Sequence, residues 1–293
     1  MIKRKQIRIR DPYIVVDNDR YYMYATFGER KLSSYHSKDL ENWTYGGTVF
    51  TIPDDFWAYK DVWAGEVHRY KGKFYLFVSL LGKNGLRGTQ IAVSDTPEGP
   101  FIPVTDRAAT PEDLSCIDGT LYVQDGVPYI IYSHDWPDNF NEDTLEYVGQ
   151  ICAAQLSDDL VSIVGEPWVL FDSNESPISK ATPHHIEKFL RYGSDAPFVQ
   201  RLSDGGLFLT WSPYLDNNYV VLSAVSKSGD IRGPWEHCDK ALYDNNGGHA
   251  MFFNSLEGKL CMALHGPEIQ GLERAHIFEI FENNGKLEIS REI

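Results

Sequence analysis

Apolar and polar positions alternate along this chain in one recurring unit. A pair of turn residues is followed by a run rich in Tyr, Phe, Leu and Ile, and the run ends in a small polar residue or a histidine. Five copies of this unit occupy residues 18–26, 71–79, 125–133, 204–212 and 257–265. Internal repetition of this kind is typical of solenoids, propellers and other repeat architectures.

A further apolar strand precedes each copy, and most copies are followed by another. The preceding strands are predicted at 13–16, 66–70, 119–123, 197–201 and 249–253. The following strands are predicted at 32–37, 90–94, 149–156, 220–226 and 275–280. The Asp-Gly and Lys-Gly pairs between the first two strands favour tight hairpins. Short outer strands, such as 44–50 and 168–170, complete some of the units.

Five units of three or four antiparallel strands predict an all-β fold, a five-bladed β-propeller. The units extend to both ends of the chain, so we expect one domain over residues 1–293. No long helix is predicted, and the polar insertions 138–144 and 172–185 are expected to form loops over one face. Because the first strand of each blade lines the central channel, the residues at the entries of these strands should meet at one mouth.

Four of these strand entries carry an acidic residue, namely Asp11, Glu66, Asp118 and Asp195. The fifth entry carries His249, which follows two glycines. Carboxylates at close range repel one another unless they share protons, hold a cation or receive charged partners. Such a cluster is more often functional than structural. Pro12 also favours an extended conformation for Asp11, although an Asp at a strand entry is commonly no more than a turn residue.

The bulk composition narrows the range of partners. The net charge is −15 and no basic run follows the first ten residues, so we expect no binding to nucleic acid or to an anionic membrane. An aromatic content of 13% suits β-structure and carbohydrate-stacking surfaces. The four cysteines match no metal spacing and are expected to be buried thiols. The basic N-terminus lacks an apolar signal segment, so a cytoplasmic location is expected.

Five short motifs, one in each unit and in the same order, show a resemblance to a known family. The motifs are Arg10-Asp11-Pro12, Trp63-Ala64-Gly65-Glu66-Val67, Asp118-Gly119, Ala196-Pro197-Phe198 and Gly248-His249. The chain resembles glycoside hydrolase family 43, the five-bladed propellers that act on arabinose- and xylose-containing glycans. Each motif alone is weak, but five in order on a matching repeat are specific, and together they cover essentially the whole chain.

The resemblance implies hydrolysis with inversion at the anomeric carbon. In that reaction one carboxylate activates water and a second carboxyl protonates the leaving oxygen, with the two groups roughly 6.5–9.5 Å apart. By resemblance the general base is Asp11 and the general acid is Asp195. Asp118 would orient the acid and raise its pKa through like-charge repulsion.

Asp195 departs from the family pattern, in which the acid is usually a glutamate before Gly-Pro or Ala-Pro. An aspartate is one methylene shorter, and misplacement by that length slows proton transfer. The backbone could approach the substrate more closely, or the acid could be another residue such as Glu187 or Glu66. A substituted position would instead leave a protein that is impaired or that only binds sugar. We predict Asp195 as the acid.

Several other residues are candidate substrate contacts. Trp63 would stack on a sugar, unless it is a core aromatic between blades. Glu66 is interpreted as structural or substrate-contacting, and His134 and Trp136 follow the third hairpin, where they would face the site or the opposite rim. Arg274 would contact the sugar or a core carboxylate, with a surface ion pair as the alternative. The His184-His185 pair is interpreted as solvent-exposed.

His249 has a second role by resemblance. In the family a histidine at this position lies near the propeller axis and often contacts a water-coordinated calcium or sodium ion. The alternative is a hydrogen-bonded core histidine. The resemblance therefore implies no required cofactor, but it allows a structural ion on the axis with His249 nearby.

The predicted function is an inverting, exo-acting α-L-arabinofuranosidase or β-xylosidase that hydrolyses oligosaccharides. Exo action would follow if the segments 136–147 and 172–190 close a pocket, whereas an open groove would give an endo-acting arabinanase or xylanase. A non-catalytic carbohydrate-binding propeller is the alternative from another functional class, and turnover of an oligosaccharide distinguishes the two. The sequence does not predict an oligomeric state.

Overall fold

The computed structural model describes residues 1–26, 28–183 and 189–293. These residues form antiparallel sheets joined by turns, and they include short 3₁₀ turns but no α-helix. The principal sheets number five, and in each of them four strands pair in the order in which they occur along the chain. In two of the five, short strands of other sheets intervene in the sequence. The predicted all-β class and its five repeated units are therefore confirmed.

The strands of each blade run in chain order from the axis outwards. Blade 1 contains Tyr13–Asp17, Arg20–Thr26, Lys31–Ser37 and Asn42–Thr51. Blade 2 contains Ala58–Tyr70, Lys73–Gly82, Arg87–Ser94 and Ile102–Pro103. Blade 3 contains Cys116–Gln124, Val127–His134, Gln150–Leu156 and Ile163–Asp172. Blade 4 contains Asp195–Arg201, Leu207–Ser212, Leu222–Ser226 and Glu236–His237. Blade 5 contains Gly248–Asn254, Leu260–Gly266, Arg274–Asn283 and Lys286–Glu292.

The innermost strands close a ring. The first strand of every blade contacts the first strands of both neighbouring blades, including the contact of blade 5 with blade 1. This is the geometry of a five-bladed β-propeller. Because all five strands surround the same axis, residues far apart in the sequence meet at its mouth.

The segment that precedes blade 1 crosses the boundary between blades 5 and 1. Strand Ile2–Lys3 pairs with the outer strand of blade 1, with Lys3 opposite Asn42. The backbone N–H of Ile9 donates to the Glu273 carbonyl of blade 5 at 3.2 Å. The Arg4 guanidinium also donates to the backbone carbonyl of Ile293. The N-terminal segment therefore bonds to both blades and links blade 5 to blade 1.

The predicted hairpin chemistry is confirmed in the turns that face away from the mouth. Lys71 and Gly72 both have positive φ, at 47° and 82°, and Asp125 and Gly126 repeat the pattern at 52° and 83°. Two successive left-handed residues match the right-handed twist of the flanking strands. These pairs set the register of the first two strands in blades 2 and 3.

The two polar insertions are more ordered than the loops predicted for them. Strands Phe140–Asn141, Glu146–Val148, Leu190–Tyr192 and Thr182–Pro183 form a small mixed sheet outside the blades. The rings of Phe140, Tyr147 and Phe189 contact one another in it. This aromatic packing explains why the segments pair rather than remain irregular. His184, His185 and Glu187 lie outside the described residues.

The core lies between the blades and consists of large apolar side chains such as Trp43, Trp211 and Tyr24, which are fully buried. All four cysteines are buried free thiols, as predicted. In the part of the chain that the structure describes, no helix has the length and apolar character needed to cross a bilayer.

Candidate active site

The innermost strand of blade 2 bulges more than once and has a left-handed residue at Asp61. At the mouth, each blade presents one left-handed residue where its innermost strand begins or bulges. The φ angles of these residues lie between 45° and 60°, for Asp11, Ala64, Asp118, Ala196 and His249. The strand ladders of blades 2 to 5 shift register at these residues. A left-handed conformation costs a non-glycine residue roughly 1–2 kcal/mol. The strain therefore recurs at one level of the propeller.

This repeated geometry corrects two expectations. Asp11 is left-handed rather than extended, because it lies in this bend ahead of the strand that begins at Tyr13. The four acids also do not occupy equivalent positions. Asp11 and Asp118 are the left-handed residues, whereas Asp195 precedes that position and Glu66 lies two residues beyond it. Asp11, Asp118 and Asp195 therefore point to the mouth, and Glu66 does not.

In blades 2 and 4, the polar residue that ends the repeated unit accepts a hydrogen bond from the backbone of the next blade. Ser79 of blade 2 accepts a hydrogen bond from the Asp118 backbone N–H at 2.8 Å. Ser212 of blade 4 accepts one from the His249 backbone N–H at 2.9 Å. A bend in the strand exposes these N–H groups, and a buried unpaired N–H is costly. The hydroxyl of one blade therefore holds the bend of the next.

A cavity of about 510 Å³ opens at this mouth. Five of the predicted site residues line it: Asp11, Trp63, Asp118, Asp195 and His249. The described lining also includes residues that were not predicted, among them Arg8, Arg10, Tyr219, Glu268, Gln270 and Glu273. The volume lies within the usual range for small-ligand sites.

Asp11 is held by a network of histidine, glutamate and arginine side chains. Its Oδ1 lies 3.2 Å from His249 Nδ1 and 3.1 Å from His265 Nδ1. His265 is fully buried, and its Nε2 lies 2.6 Å from Glu268 Oε2. Arg10 completes the network with a 2.9 Å hydrogen bond to Glu268 Oε1. The orientation of the Asp11 carboxylate is thus fixed from two sides.

These partners determine the charge of Asp11. Burial alone would raise its pKa, but the nearby His249, His265 and Arg10 outweigh burial and hold the pKa of Asp11 well below its usual range. Burial has the opposite effect on a histidine and would lower the pKa of His265. The hydrogen bonds of His265 to Asp11 and Glu268 outweigh burial and raise that pKa above the usual value. Asp11 is therefore held as an ionised carboxylate facing the cavity.

Asp195 has the opposite surroundings. Burial and the neighbouring carboxylates of Asp118 and Asp135 hold the pKa of Asp195 well above its usual range. Tyr219 donates a long hydrogen bond of 3.4 Å to its Oδ2. Burial and the charge of Asp118 also raise the pKa of Asp135 to about 7. These surroundings therefore favour the protonated form of Asp195, whereas those of Asp11 favour the ionised form.

Asp118 lies between these two groups. Its Oδ2 accepts the backbone N–H of Ala196 at 2.9 Å and lies 3.9 Å from His249 Nδ1. Burial is the main cause of its own raised pKa. Gly119 beside it packs against blade 2, where a Cβ would come within 2.6 Å of Thr89 Oγ1. Asp118 is therefore placed to fix the backbone next to Asp195.

Trp63 projects from the cavity wall. Its side chain is exposed, and the Arg87 guanidinium lies 3.5 Å from the ring centroid on one face. Arg87 is in turn held by Asp61, whose Oδ2 accepts a hydrogen bond from Arg87 Nη2 at 2.9 Å. The exposed indole is therefore oriented by Arg87 rather than buried as a core aromatic.

Four predicted contacts are absent from the described lining of the cavity. Glu66 is buried below it and pairs with a histidine of its own strand. His134 is buried against Asp138, at 2.7 Å. Trp136 stacks under the Arg191 guanidinium, 4.7 Å from its ring centroid. Arg274 donates to the Lys5 carbonyl at 3.0 Å, away from the cavity. Local side-chain and backbone partners, which the spacing of motifs does not reveal, account for these positions.

His249 offers one unused atom to a ligand on the axis. Its Nε2 is buried and has no hydrogen-bond partner among the described residues. No group of three or more potential metal ligands occurs in that same part of the chain. A water molecule, or an ion that binds through water, fits this single nitrogen, whereas a closed metal cage does not.

The residues missed from the sequence come mainly from blades 4 and 5. Tyr219, His265 and Glu268 contact Asp11 or Asp195 directly or through one neighbour. The sequence offered one signal for them, since His265 ends the fifth repeated unit where the other units end in Ser or Thr. Glu268 follows it three residues later, but no local pattern marked it as its partner.

Comparisons with known proteins address the family to which the chain belongs. Residues 5–284 match the family model described as Glycosyl hydrolases family 43. The crystal structure of an endo-arabinase from Bacteroides thetaiotaomicron VPI-5482 is 37% identical and superposes with a TM-score of 0.89, over 97% of this chain and 98% of that one. A thermostable family-43 glycoside hydrolase is 25% identical with a TM-score of 0.82, covering 97% and 93%.

A curated relative, the xylosidase/arabinosidase 43A of Humicola insolens, is 28% identical over 148 residues. That alignment covers 43% of each protein, so the chain spans less than half the length of this relative. The family match, in contrast, extends over nearly all of the propeller and includes every residue of the cavity described above. The chain belongs to glycoside hydrolase family 43.

Proposed function

We propose that this protein hydrolyses glycosidic bonds with inversion at the anomeric carbon. The observation that carries the proposal is the pair Asp11 and Asp195, two carboxyl groups in one cavity with opposite protonation. Their surroundings lower the pKa of Asp11 and raise that of Asp195. Glycosidases use such a pair as base and acid.

In the proposed reaction Asp11 accepts a proton from water as the water oxygen attacks the anomeric carbon. Asp195 donates its proton to the glycosidic oxygen as the bond from that oxygen to the anomeric carbon breaks. The products are a sugar with inverted configuration and an alcohol. Proton exchange with solvent then restores both carboxyl groups.

Asp118 would act as a positioning residue. Its hydrogen bond to the Ala196 N–H fixes the backbone that carries Asp195, and its carboxylate contributes to the raised pKa of Asp195. This contact supports Asp195 as the acid despite its shorter side chain. We infer that the bend at Ala196, where φ is 56°, brings the aspartate to the required depth.

We propose arabinose- or xylose-containing oligosaccharides as the substrates. The support is that named relatives include a xylosidase/arabinosidase and an endo-arabinase. Exo action stays the prediction from the sequence. Endo action is the second candidate, favoured by the 37% identical endo-arabinase, whose structure covers 97% of this chain.

A calcium or sodium ion on the axis is compatible with this proposal. The buried and unpartnered Nε2 of His249 would face it, through water. When bound, such an ion would supply positive charge near the carboxylates. The proton transfers proposed above use only Asp11 and Asp195.

The test follows anomeric protons by NMR while the protein acts on arabino- and xylo-oligosaccharides. A product that first appears in the inverted configuration, and that the Asp11→Ala variant does not release, supports the proposal. A retained configuration contradicts it. Product sizes separate the candidates, because exo action releases single sugars from the first turnover and endo action releases shorter oligosaccharides.

Asp195→Glu completes that experiment. If only this variant turns over the panel, Asp195 is a disabling substitution. If no protein of the set turns over any sugar while the native protein still binds one, the non-catalytic propeller is the better description.

A further inference from the structure

A second cavity lies on blade 2, beside the mouth. Its volume is about 470 Å³, and residues from the segments 55–57, 83–88 and 106–112 line it. The second strand of blade 2 runs toward this turn and carries Ser79, which contacts Asp118 at the mouth. The second cavity therefore opens on the same face of the propeller as the active site.

An indole in a fixed position forms part of this cavity. Trp57 Nε1 donates to Gln90 Oε1 at 2.7 Å. The ring packs over two glycines, because a Cβ at either Gly82 or Gly88 would come within 3.2 Å of it. Both glycines thus make room for the indole, and its orientation is set before any ligand arrives.

Polar and charged side chains surround the aromatic part. Lys83, Asp106, Arg107 and Glu112 line the cavity together with Trp57. Charges of both signs lie together, so the lining does not select an anion or a cation. An aromatic face that accepts C–H groups, ringed by hydrogen-bonding side chains, suits a neutral polyhydroxylated ligand.

The two cavities share one wall. Arg87 lines the second cavity, and its guanidinium lies 3.5 Å from the ring centroid of Trp63. Trp63 lines the active-site cavity, and 41% of its surface is exposed. A chain that leaves the active site across the Trp63 indole therefore meets Arg87 and then the second cavity.

We propose that the blade 2 cavity binds sugar units of the same oligosaccharide whose scissile bond lies between Asp11 and Asp195. The substrate crosses Trp63 and places a distant unit against Trp57. This inference rests on the proposed function, and it assigns that function a preference for longer chains. The separation of the two sites means that the distant contact contributes only when the substrate is long enough to reach both.

The experiment compares kcat/KM for a series of oligosaccharides of two to six units. We expect the native protein to favour the longest chain over the shortest by roughly ten-fold, the effect of an added aromatic contact of about 1.4 kcal/mol. Trp57→Ala should lose most of that gain and leave turnover of the shortest substrate unchanged. Phe281→Ala, which removes an exposed aromatic ring from blade 5, is the matched control and should keep the gain.

Two additions keep the result interpretable. Arg107→Ala alters an exposed side chain of the cavity, so it tests the site even if Trp57→Ala fails to fold. Calorimetric binding of the same sugars to Asp11→Ala, with and without Trp57→Ala, measures the site without turnover. The inference is overturned if both cavity variants keep the native dependence on chain length in rate and in affinity. Absence of turnover by the native protein overturns the proposed function instead, and the binding series then decides the inference by itself.

Discussion

The two sides of the active-site mouth carry the same residue type in opposite states. On the side formed by blades 5 and 1, Asp11 lies within 3.2 Å of two histidines, and Arg10 and Glu268 support them. On the side formed by blades 3 and 4, Asp195 has acidic neighbours and accepts a long hydrogen bond from Tyr219, at 3.4 Å. The nearest partners of Asp11 are two histidines, whereas acids are the main charged neighbours of Asp195.

The difference shows that environment, rather than residue identity, moves the pKa values of the two carboxyl groups in opposite directions. Partners that stabilise the charged form lower a carboxyl pKa, while burial and like charges raise it. Asp118 belongs to both sides, because its Oδ2 contacts the Ala196 backbone and lies 3.9 Å from His249. Changing single groups on each side tests whether this contrast produces catalysis.

The largest effect is expected from Asp11→Asn. The amide keeps the shape of the side chain but cannot accept the proton of the attacking water. We expect kcat to fall by roughly 10³-fold or more, the upper part of the range for general acid–base catalysis. Circular dichroism and the melting temperature should show a folded protein. A variant that keeps a tenth of native turnover would rule out Asp11 as the base.

Asp195→Asn should rank second. Turnover of a natural oligosaccharide should fall by about 10²- to 10³-fold, while an aryl glycoside, whose leaving group needs little protonation, should lose far less. In the native protein, kcat/KM should decrease as pH rises through the raised pKa of Asp195, because the acid then loses its proton. That alkaline decrease should disappear in the variant. If the alkaline limb is unchanged in Asp195→Asn, another group is the acid, and Asp135 is the first candidate.

His265→Gln should produce a smaller loss, roughly ten-fold in kcat at neutral pH, since the base is mispositioned rather than removed. The variant removes a cationic partner of Asp11, so the pKa of Asp11 should rise toward its usual range. The acidic limb of the kcat/KM profile should therefore move to higher pH. His276→Gln, at a half-buried histidine of the same blade, is the control and should leave that limb in place. If the acidic limb of the kcat/KM profile lies at the same pH in both variants, His265 has a purely structural role.

The smallest effect is expected from Trp63→Ala. Loss of a stacking surface of roughly 0.5–1.5 kcal/mol should raise KM about three- to ten-fold. Because Trp63 lies on the wall and contacts neither carboxyl group in the structure, kcat should change little. Tyr59→Ala removes a comparably exposed ring nearby and should leave KM unaltered. A large decrease in kcat would show that Trp63 orders the catalytic groups themselves.

The blades could be predicted from the sequence because their determinants are local. Residue pairs such as Asp125-Gly126 form hairpin turns whatever surrounds them. The five apolar repeats then fix the number of units. The ordered sheet that contains Phe140 and Phe189 escaped prediction, since its strands are short and depend on aromatic contacts between separate segments.

The site was predictable only where a residue lies in a strand-entry motif. Asp11, Asp118, Asp195 and His249 were found in this way, and all of them line the cavity. Glu66 was grouped with them because the sequence does not show that it lies two residues beyond the left-handed residue of its strand, Ala64. The environment of Asp11 depends on His265, 254 positions away, and only closure of the ring brings the two together.

The proposed general base, Asp11, lies where the first and last blades of the propeller ring meet. Asp11 belongs to blade 1, whereas His249 and His265 belong to blade 5, so the 3.1 Å contact with His265 crosses the boundary between first and last blades. Any breathing motion that parts these blades separates the carboxylate from its imidazole partners while every sheet is still intact. Catalytic competence thus reports on closure of the seam, and in rising denaturant it should be lost before the blades themselves unravel.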